Sequence, residues 1–389
     1  MTRSISILRA MLLMWVLALC SLGLCLACTS VTGIGVVAGV ATIMLGVSPF
    51  LWMWDEEMTW MRYSGMGALV AWLCLTIFLA WHAPSGKPPA GARVSNHYSD
   101  GQWKYPSAAL GSLLPEMDQL SMGFAVMPVL DRLLTRKQST QLKSYTQGIY
   151  AELEADPGFA ALGTALPQAY DNMLGREFDV GHYFLYVPSK VDPHKPTPAL
   201  VFLHGFGGNF KAYTWILSQV AEELGYVLIC PTYGAGFWDA RHSPEVVSRA
   251  VRDVAKTVAL DMKQIHLAGL SNGGLGVGHV ASAGLSGEAF RSLIFISPVF
   301  DEKAITCTGF RIRCRQKPVL VITGMQDDRV PALYVQDNVG IMKSEGVDVT
   351  THLVPNADHF LFFSHRQEMT QKIVEWLQKQ QEAVAAPKA

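Results

Sequence analysis

The chain has 389 residues, enough for a large core and for more than one domain. Its net charge of -1 excludes the basic surface that nucleic-acid binding needs, and nothing points to a strongly acidic partner. Charged residues are only 16% and mean hydropathy is +0.22, values that set it apart from an ordinary soluble protein.

The cause is local and lies at the start. No charged residue occurs between Arg9 and Asp55. That run is too long for one membrane helix and fits two, joined by a tight turn near Thr29-Ser30-Val31-Thr32-Gly33. A third uncharged run, Tyr63 to Trp81, follows the polar patch Asp55-Glu56-Glu57 and Arg62. Each is long enough, at about 1.5 Å per residue, to cross a hydrocarbon core of roughly 30 Å. Trp15, Trp52, Trp54, Trp60 and Trp81 fall near the expected ends, where indole rings settle. Gly35-Val36-Val37-Ala38-Gly39 has the spacing of small residues at which membrane helices touch. A cleaved signal peptide over residues 1–28 is the competing account; the length of the apolar stretch and the two further spans weigh against it. Arg3, Arg9 and Arg62 favour the cytoplasmic side, which puts everything after residue 82 outside the cytoplasm; Lys87, Arg93 and Lys104 argue the other way.

Residues 83–105, rich in Pro, Gly, Ser and Lys, read as a linker. From Tyr105 to about Gly175 the pattern is helical. Leu120, Phe124, Met127, Leu130 and Leu134 recur at helical spacing, as do Leu142, Tyr145, Ile149, Tyr150 and Leu153. Pro128 is expected to kink or split the first helix. This segment carries no chemical motif and reads as a packing layer, a lid or a partner surface.

Strands then alternate with helices. Strands are expected at Phe178–Val187, Ala199–Leu203, Tyr226–Cys230, Ile265–Leu270, Ser292–Ser297, Pro318–Thr323 and Val347–Val354. A helix capped by Ser243 with Pro244 at its first position runs to about Leu260, and a last one spans Gln367–Gln380. The alternation predicts a mostly parallel sheet covered on both faces, with any site at the carboxyl ends of its strands.

Chemistry concentrates at those ends. Gly269-Leu270-Ser271-Asn272-Gly273 follows an apolar strand and precedes a helix-compatible stretch, the layout of a nucleophile elbow. The turn is sharp, so small residues flank Ser271 at two positions on either side. A serine hydroxyl attacks an ester only with a base beside it. His359 is the candidate base, just past the last strand, and Asp327 the carboxylate that orients it; Asp328 and Asp301 are alternatives for the acid. The Gly-rich turn His204-Gly205-Phe206-Gly207-Gly208 lets a backbone N–H approach a substrate oxygen. The amides of Phe206 and Asn272 are the expected oxyanion donors, each worth about 3 kcal/mol in the transition state. Tyr233, Phe237 and Trp238 are candidates to line an apolar substrate pocket, with ordinary loop packing as the alternative. Among other histidines, His204 is expected to support its loop, His266 to be a core residue, and His182, His242 and His365 to lie at the surface. Cys230 reads as a small core residue, whereas Cys307 and Cys314, spaced to close a short ring, are either a disulfide or two unpaired thiols. No metal-ligand cluster emerges.

In combination and in chain order, these motifs resemble the α/β-hydrolase superfamily over roughly residues 177–385. The approach Tyr183-Phe184-Leu185-Tyr186-Val187-Pro188 is similar to the polyester-depolymerase and feruloyl-esterase-like branch. The resemblance implies an α/β-hydrolase fold and carboxylic-ester hydrolysis through a Ser-His-Asp triad and an acyl-enzyme, without a cofactor. It does not extend to the apolar runs or to the helical segment, and between Ser297 and Lys317 there is little room for a large cap domain. The expected organisation is a membrane region of three transmembrane helices (1–82), a linker and helical segment (83–175) and a catalytic domain (176–389). The expected substrate is a small-molecule or lipid-like ester, met by an integral membrane protein with its catalytic domain on the extracytoplasmic side. A serine peptidase or a thioesterase or acyltransferase would use the same residues; a membrane-tethered, non-catalytic binding module on this fold is the alternative of another class.

Overall fold

The computed structural model describes residues 2–52, 59–99, 110–131, 134–177, 179–285 and 290–385. Trp54, the patch Asp55-Glu56-Glu57, Lys104, the expected start of the helical segment at Tyr105 and the expected strand start at Phe178 lie outside the described residues. The chain divides into two compact units: Met1–Ser85 with Tyr105–Gln147, and Gly86–Lys104 with Gly148–Ala389. The stretch expected as one segment, 83–175, is therefore shared between the two.

The first unit holds α1 (Thr2–Thr29), α2 (Gly33–Trp52), α3 (Thr59–His82), α4 (Leu110–Leu113), α5 (Glu116–Leu130) and most of α6 (Arg136–Leu153). α1, α2 and α3 coincide with the three uncharged runs, and all three are long and apolar enough to cross a membrane. A Cβ at Gly39 would stand 2.6 Å from the Gly23 carbonyl oxygen, so α1 and α2 approach backbone to backbone where the small-residue spacing predicts it.

Helix ends leave amides and carbonyls without partners. At the α1–α2 turn these are met by side chains about ninety to a hundred and ten residues away. Asp118 Oδ1 accepts from the Val31 N–H at 2.7 Å and the Thr32 N–H at 3.1 Å, and Oδ2 accepts from the Thr32 hydroxyl. The Ser121 hydroxyl and the Lys143 ammonium both donate to the Thr29 carbonyl. Pro128 does not split α5, which continues to Leu130. The Phe124 carbonyl, the acceptor that a proline at position 128 cannot reach, takes its hydrogen bond from the Ser139 hydroxyl instead.

The second unit is built on β1 (Val94–Tyr98), the short α7 (Pro157–Ala160), α8 (Leu166–Met173), β2 (His182–Tyr186), β3 (Thr197–Leu203), α9 (Lys211–Leu224), β4 (Val227–Pro231) and α10 (Ser243–Val254). It continues with β5 (Leu260–Leu270), α11 (Gly273–Ala283), β6 (Ser292–Ile296), α12 (Glu302–Thr306), α13 (Thr308–Cys314), β7 (Pro318–Gly324), α14 (Ala332–Ser344), β8 (Asp348–Val354), α15 (Leu361–Ser364) and α16 (Arg366–Ala385). The strands form one sheet in the order β1-β2-β4-β3-β5-β6-β7-β8. From β4 to β8 all neighbours are parallel; β2 is antiparallel to β1 and β4.

Alternating residues of β3 face opposite ways, which is why the run is apolar throughout. Val201 and Leu203 join Val247 and Val251 of α10, Val277 of α11 and Val335 of α14 in one core. Phe202 faces the other layer, against Tyr213 of α9 and Phe362 of α15. Each fully buried Val, Leu or Phe contributes about 1.5–3 kcal/mol. The fold is that of an α/β-hydrolase, with only α12 and α13 between Ser297 and Lys317.

Three expectations are corrected and one open alternative is decided. The linker contains β1, whose Val94 pairs with Tyr186 and Tyr98 with His182. Ser243 makes no capping bond; it is the first residue of α10, preceded by His242. His182 is buried, not superficial: its ring bonds Thr232 Oγ1 at 2.6 Å and Asn96 Oδ1 at 2.5 Å, and burial pushes its pKa down to about 3. Cys307 and Cys314 are free thiols at the two ends of α13. Seven residues of helix separate them by about 10 Å, beyond the roughly 7 Å span that a disulfide bridges. Cys314 is buried, which raises its thiol to about 12.

Candidate active site

β5 runs into α11 through a single sharp turn, and Ser271 sits on it with φ of 52°, a left-handed conformation that costs a serine energy. The turn is locked by its own backbone. Ser271 N–H donates to the Ile296 carbonyl at 2.9 Å, while its carbonyl accepts from Gly274 N–H at 2.8 Å and Val299 N–H at 3.0 Å. A Cβ at Gly269 would stand 2.4 Å from the Gly273 carbonyl oxygen, and one at Gly273 only 2.1 Å from that of Leu203. Both flanking glycines are therefore steric requirements of the elbow.

β7 and β8 deliver the other two side chains. Asp327, three residues past β7, accepts from Arg329 N–H at 3.0 Å and Val330 N–H at 2.8 Å through Oδ1. Its Oδ2 accepts from His359 Nδ1 at 2.8 Å. With Nδ1 protonated, His359 Nε2 is left as an acceptor, and it stands 3.0 Å from Ser271 Oγ. Ser271, His359 and Asp327, remote in the chain, thus form one hydrogen-bonded line in which Asp327 sets the imidazole tautomer. Asp301 lies elsewhere: it caps α12 through the Lys303 N–H and faces His279 at 3.6 Å.

Among the described residues, no internal hydrogen bond uses the amide of Phe206 or of Asn272. Gly207 N–H, between them and the next loop, donates to the Ala235 carbonyl at 2.9 Å. His204 stiffens this arrangement from below. Its Nδ1–H donates to the Gly205 carbonyl at 2.8 Å and its Nε2 accepts from Tyr233 N–H at 3.0 Å. Burial holds the ring neutral, with a pKa pushed down to about 4. His266 is likewise a core residue, bonded to Ser292 and stacked on Tyr226.

The three aromatic candidates separate. Tyr233 and Trp238 are buried and stacked on each other at 5.0 Å, with the indole N–H donating to the His204 carbonyl at 2.9 Å and the phenol bonded to Asp239. They are core supports of the loop, which corrects their expected place in a pocket lining. Phe237 is 55% exposed and packs on Phe206, itself 45% exposed, at 5.3 Å. Phe206 itself lies on the glycine-rich turn that follows β3.

Asn172 carries no motif and went unnoticed in the sequence. It lies on α8, and its Oδ1 accepts from Ala235 N–H at 3.0 Å. Ala235 in turn holds Gly207, so α8 braces the glycine-rich turn after β3 through one intermediate residue. Part of the helical segment thus has a role: α8 positions the loops of the site. The last turn of α6 ties in separately, with Glu152 bidentate on Arg366 and Glu154 on the buried Lys211. Among the described residues no His, Cys, Asp or Glu cluster is arranged to hold a metal ion.

Comparison with known proteins places this geometry in context. Residues 309–383 match the family model of the prolyl oligopeptidase family. A bifunctional acetylxylan esterase/xylanase of Neocallimastix patriciarum is 29% identical over 104 residues, covering 25% of this chain and 15% of that protein. Among solved structures, a thermostable esterase is 19% identical over 51% of this chain and 58% of its own, with a TM-score of 0.42. An esterase of Thermogutta terrifontis with bound butyrate is 19% identical over 54% of this chain and 91% of its own, also with a TM-score of 0.42. The chain thus spans 15% of the curated relative and 58% of the first of these structures. The strand order and the sharp turn at the end of β5 give this chain the α/β-hydrolase fold, and its residues 309–383 are similar to the prolyl oligopeptidase family within that fold.

Proposed function

We propose that the protein is a membrane-anchored serine hydrolase that cleaves carboxylic esters. The observation that carries this reading is the continuous line from Asp327 Oδ2 through His359 to Ser271 Oγ, beside two unspent amides. Ser271 Oγ attacks the ester carbonyl as its proton passes to His359 Nε2. The amides of Phe206 and Asn272 hold the oxygen that gains charge. The tetrahedral intermediate expels the alkoxide, which takes the proton from Nε2, leaving the acyl group on Ser271. Water then gives a proton to Nε2 as it attacks the acyl carbonyl, and collapse of the second tetrahedral intermediate breaks the acyl–Oγ bond, Ser271 Oγ taking the proton back from Nε2 as the acid leaves. Asp327 stabilises the imidazolium in both halves, and Phe206 with Phe237 contacts the apolar part of the substrate.

The match to an acetylxylan esterase supports an ester substrate, whereas the match to the prolyl oligopeptidase family over 309–383 favours a peptide amide as the second reading. A fluorophosphonate reagent is expected to label Ser271 in the full chain and p-nitrophenyl esters to be turned over; peptide amides are expected to be poor substrates. Absence of labelling, where a control esterase reacts, supports the non-catalytic binding-module reading instead. Efficient amide cleavage with weak ester turnover replaces esterase with peptidase.

Anchoring through α1, α2 and α3 is part of the same proposal, with Arg3, Arg9 and Arg62 on the cytoplasmic side and the catalytic unit outside. A reporter fused after residue 389 that works only in the cytoplasm is expected to be silent; an active reporter reverses the orientation.

A further inference from the structure

α5 is two different helices in sequence. Its first half, Glu116 to Ser121, is buried and carries Asp118 and Ser121, which clasp the α1–α2 turn. Its second half, Met122-Gly123-Phe124-Ala125-Val126-Met127-Pro128-Val129-Leu130, has no polar side chain at all. In a water-facing helix that half would show a polar stripe. Instead Val129 is 74% and Leu130 73% exposed, with Ala125 and Val126 exposed beside them. Within this unit most other exposed large apolar side chains lie on the three long helices, with Val31 on the turn between two of them and Tyr145 on α6.

Three observations say what covers this half-helix. It continues from the half of α5 that clasps the turn between two helices with the composition of membrane spans, and its Met122 packs into the same cluster as Leu26 of α1 and Leu79 of α3. The uncharged run from Gln119 to Leu130 is 12 residues, about 18 Å of helix, too short to cross a bilayer and of the length that beds into one leaflet. The run ends at Asp131, and the exposed cations Arg136 and Lys137, suited to anionic headgroups, follow at the start of α6. We propose that the Met122–Leu130 half of α5 lies in the lipid of the leaflet that the α1–α2 turn reaches, as a fourth, non-crossing membrane contact. The helix is then fastened at one end by Asp118 and Ser121 and solvated along its apolar half by acyl chains rather than water.

This inference rests on the reading of α1, α2 and α3 as membrane spans, and the test separates the two. The full chain is reconstituted into phosphatidylcholine and phosphatidylglycerol vesicles containing a brominated lipid. A fluorescent unnatural amino acid is placed in turn at Leu130, at Leu17 on α1, and at the exposed Thr140 of α6. Quenching at 130 as strong as at 17, with little at 140, is the expected result. Quenching at 17 but not at 130 overturns the inference alone. A blue-shifted but unquenched signal at 130 also overturns it, in favour of a second copy of the chain on that face. No quenching at either 17 or 130 overturns the membrane reading together with the inference.

Discussion

Two turns of this protein treat their backbone amides in opposite ways. At the α1–α2 turn, the amides of Val31 and Thr32 and the carbonyl of Thr29 are taken up by Asp118, Ser121 and Lys143. At the site, Ser271 is held by backbone bonds, yet the adjacent amides of Phe206 and Asn272 donate to nothing among the described residues. The first turn has its amides met by side chains, since an unmet buried amide costs about 1–3 kcal/mol. The second leaves two amides in reserve, as the proposed mechanism requires, and draws its rigidity from His204, Trp238 and Asn172.

That contrast can be broken most strongly at Ser271. Ser271→Ala is expected to lower kcat by about 10⁴-fold or more and to abolish fluorophosphonate labelling, with the fold intact by circular dichroism. Asp327→Asn keeps the shape but favours the wrong imidazole tautomer, and kcat is expected to fall on the order of 10⁴-fold; an unchanged rate would move the acid to another carboxylate.

Acid sharpens it next. His182, His204 and His266 are buried with pKa values near 3, 4 and 3. Each sits below the ordinary value of about 6.5, so the unfolded chain binds more protons than the folded one in between. Their contribution is complete above about pH 6.5 and is lost as pH falls towards those values, by up to about 1.4 kcal/mol per pH unit for each. Thermal unfolding of the second unit followed from pH 7 to pH 4 should show a steepening loss; a flat profile would mean that these rings are protonated in the fold.

On the structural turn, Asp118→Ala strands two amides and is expected to destabilise the first unit by about 1–3 kcal/mol, read as earlier unfolding in detergent, while turnover of a short soluble ester stays constant. The smallest effect is expected at Asn172. Asn172→Ala should reduce kcat about tenfold, roughly 1.4 kcal/mol, with little change in KM. Asn172→Asp retains the acceptor and should recover most of it, which a purely structural role for α8 would not produce.

The elements that could be read from the chain alone are those whose reasons are local. Uncharged runs of span length identify α1, α2 and α3, and the turn at Thr29–Gly33 follows from the polar break between them. Continuous apolar runs mark β3 and β4, and glycines two places from Ser271 mark the elbow, because no other residue fits where the backbone passes. Asp327 and His359 were legible as the residues just past the next strands, where a parallel sheet presents its loops.

What stayed hidden depends on partners distant in the chain. Val94–Tyr98 is a mixed polar stretch among turn residues, and only pairing with β2 makes it a strand. His182 is chemically a surface residue until Asn96 and Thr232 satisfy both ring nitrogens. Asn172 acquires meaning only because α8 comes to rest on Ala235. Tyr233 and Trp238 differ from Phe237 by which way a loop turns, and that direction is set by His204 beneath it. Residue type and spacing determined where the chain forms its long apolar helices, turns and presents reactive groups; tertiary contact decided which polar groups are spent on holding those positions, because a hydrogen bond has no sequence signature until both of its ends are in place.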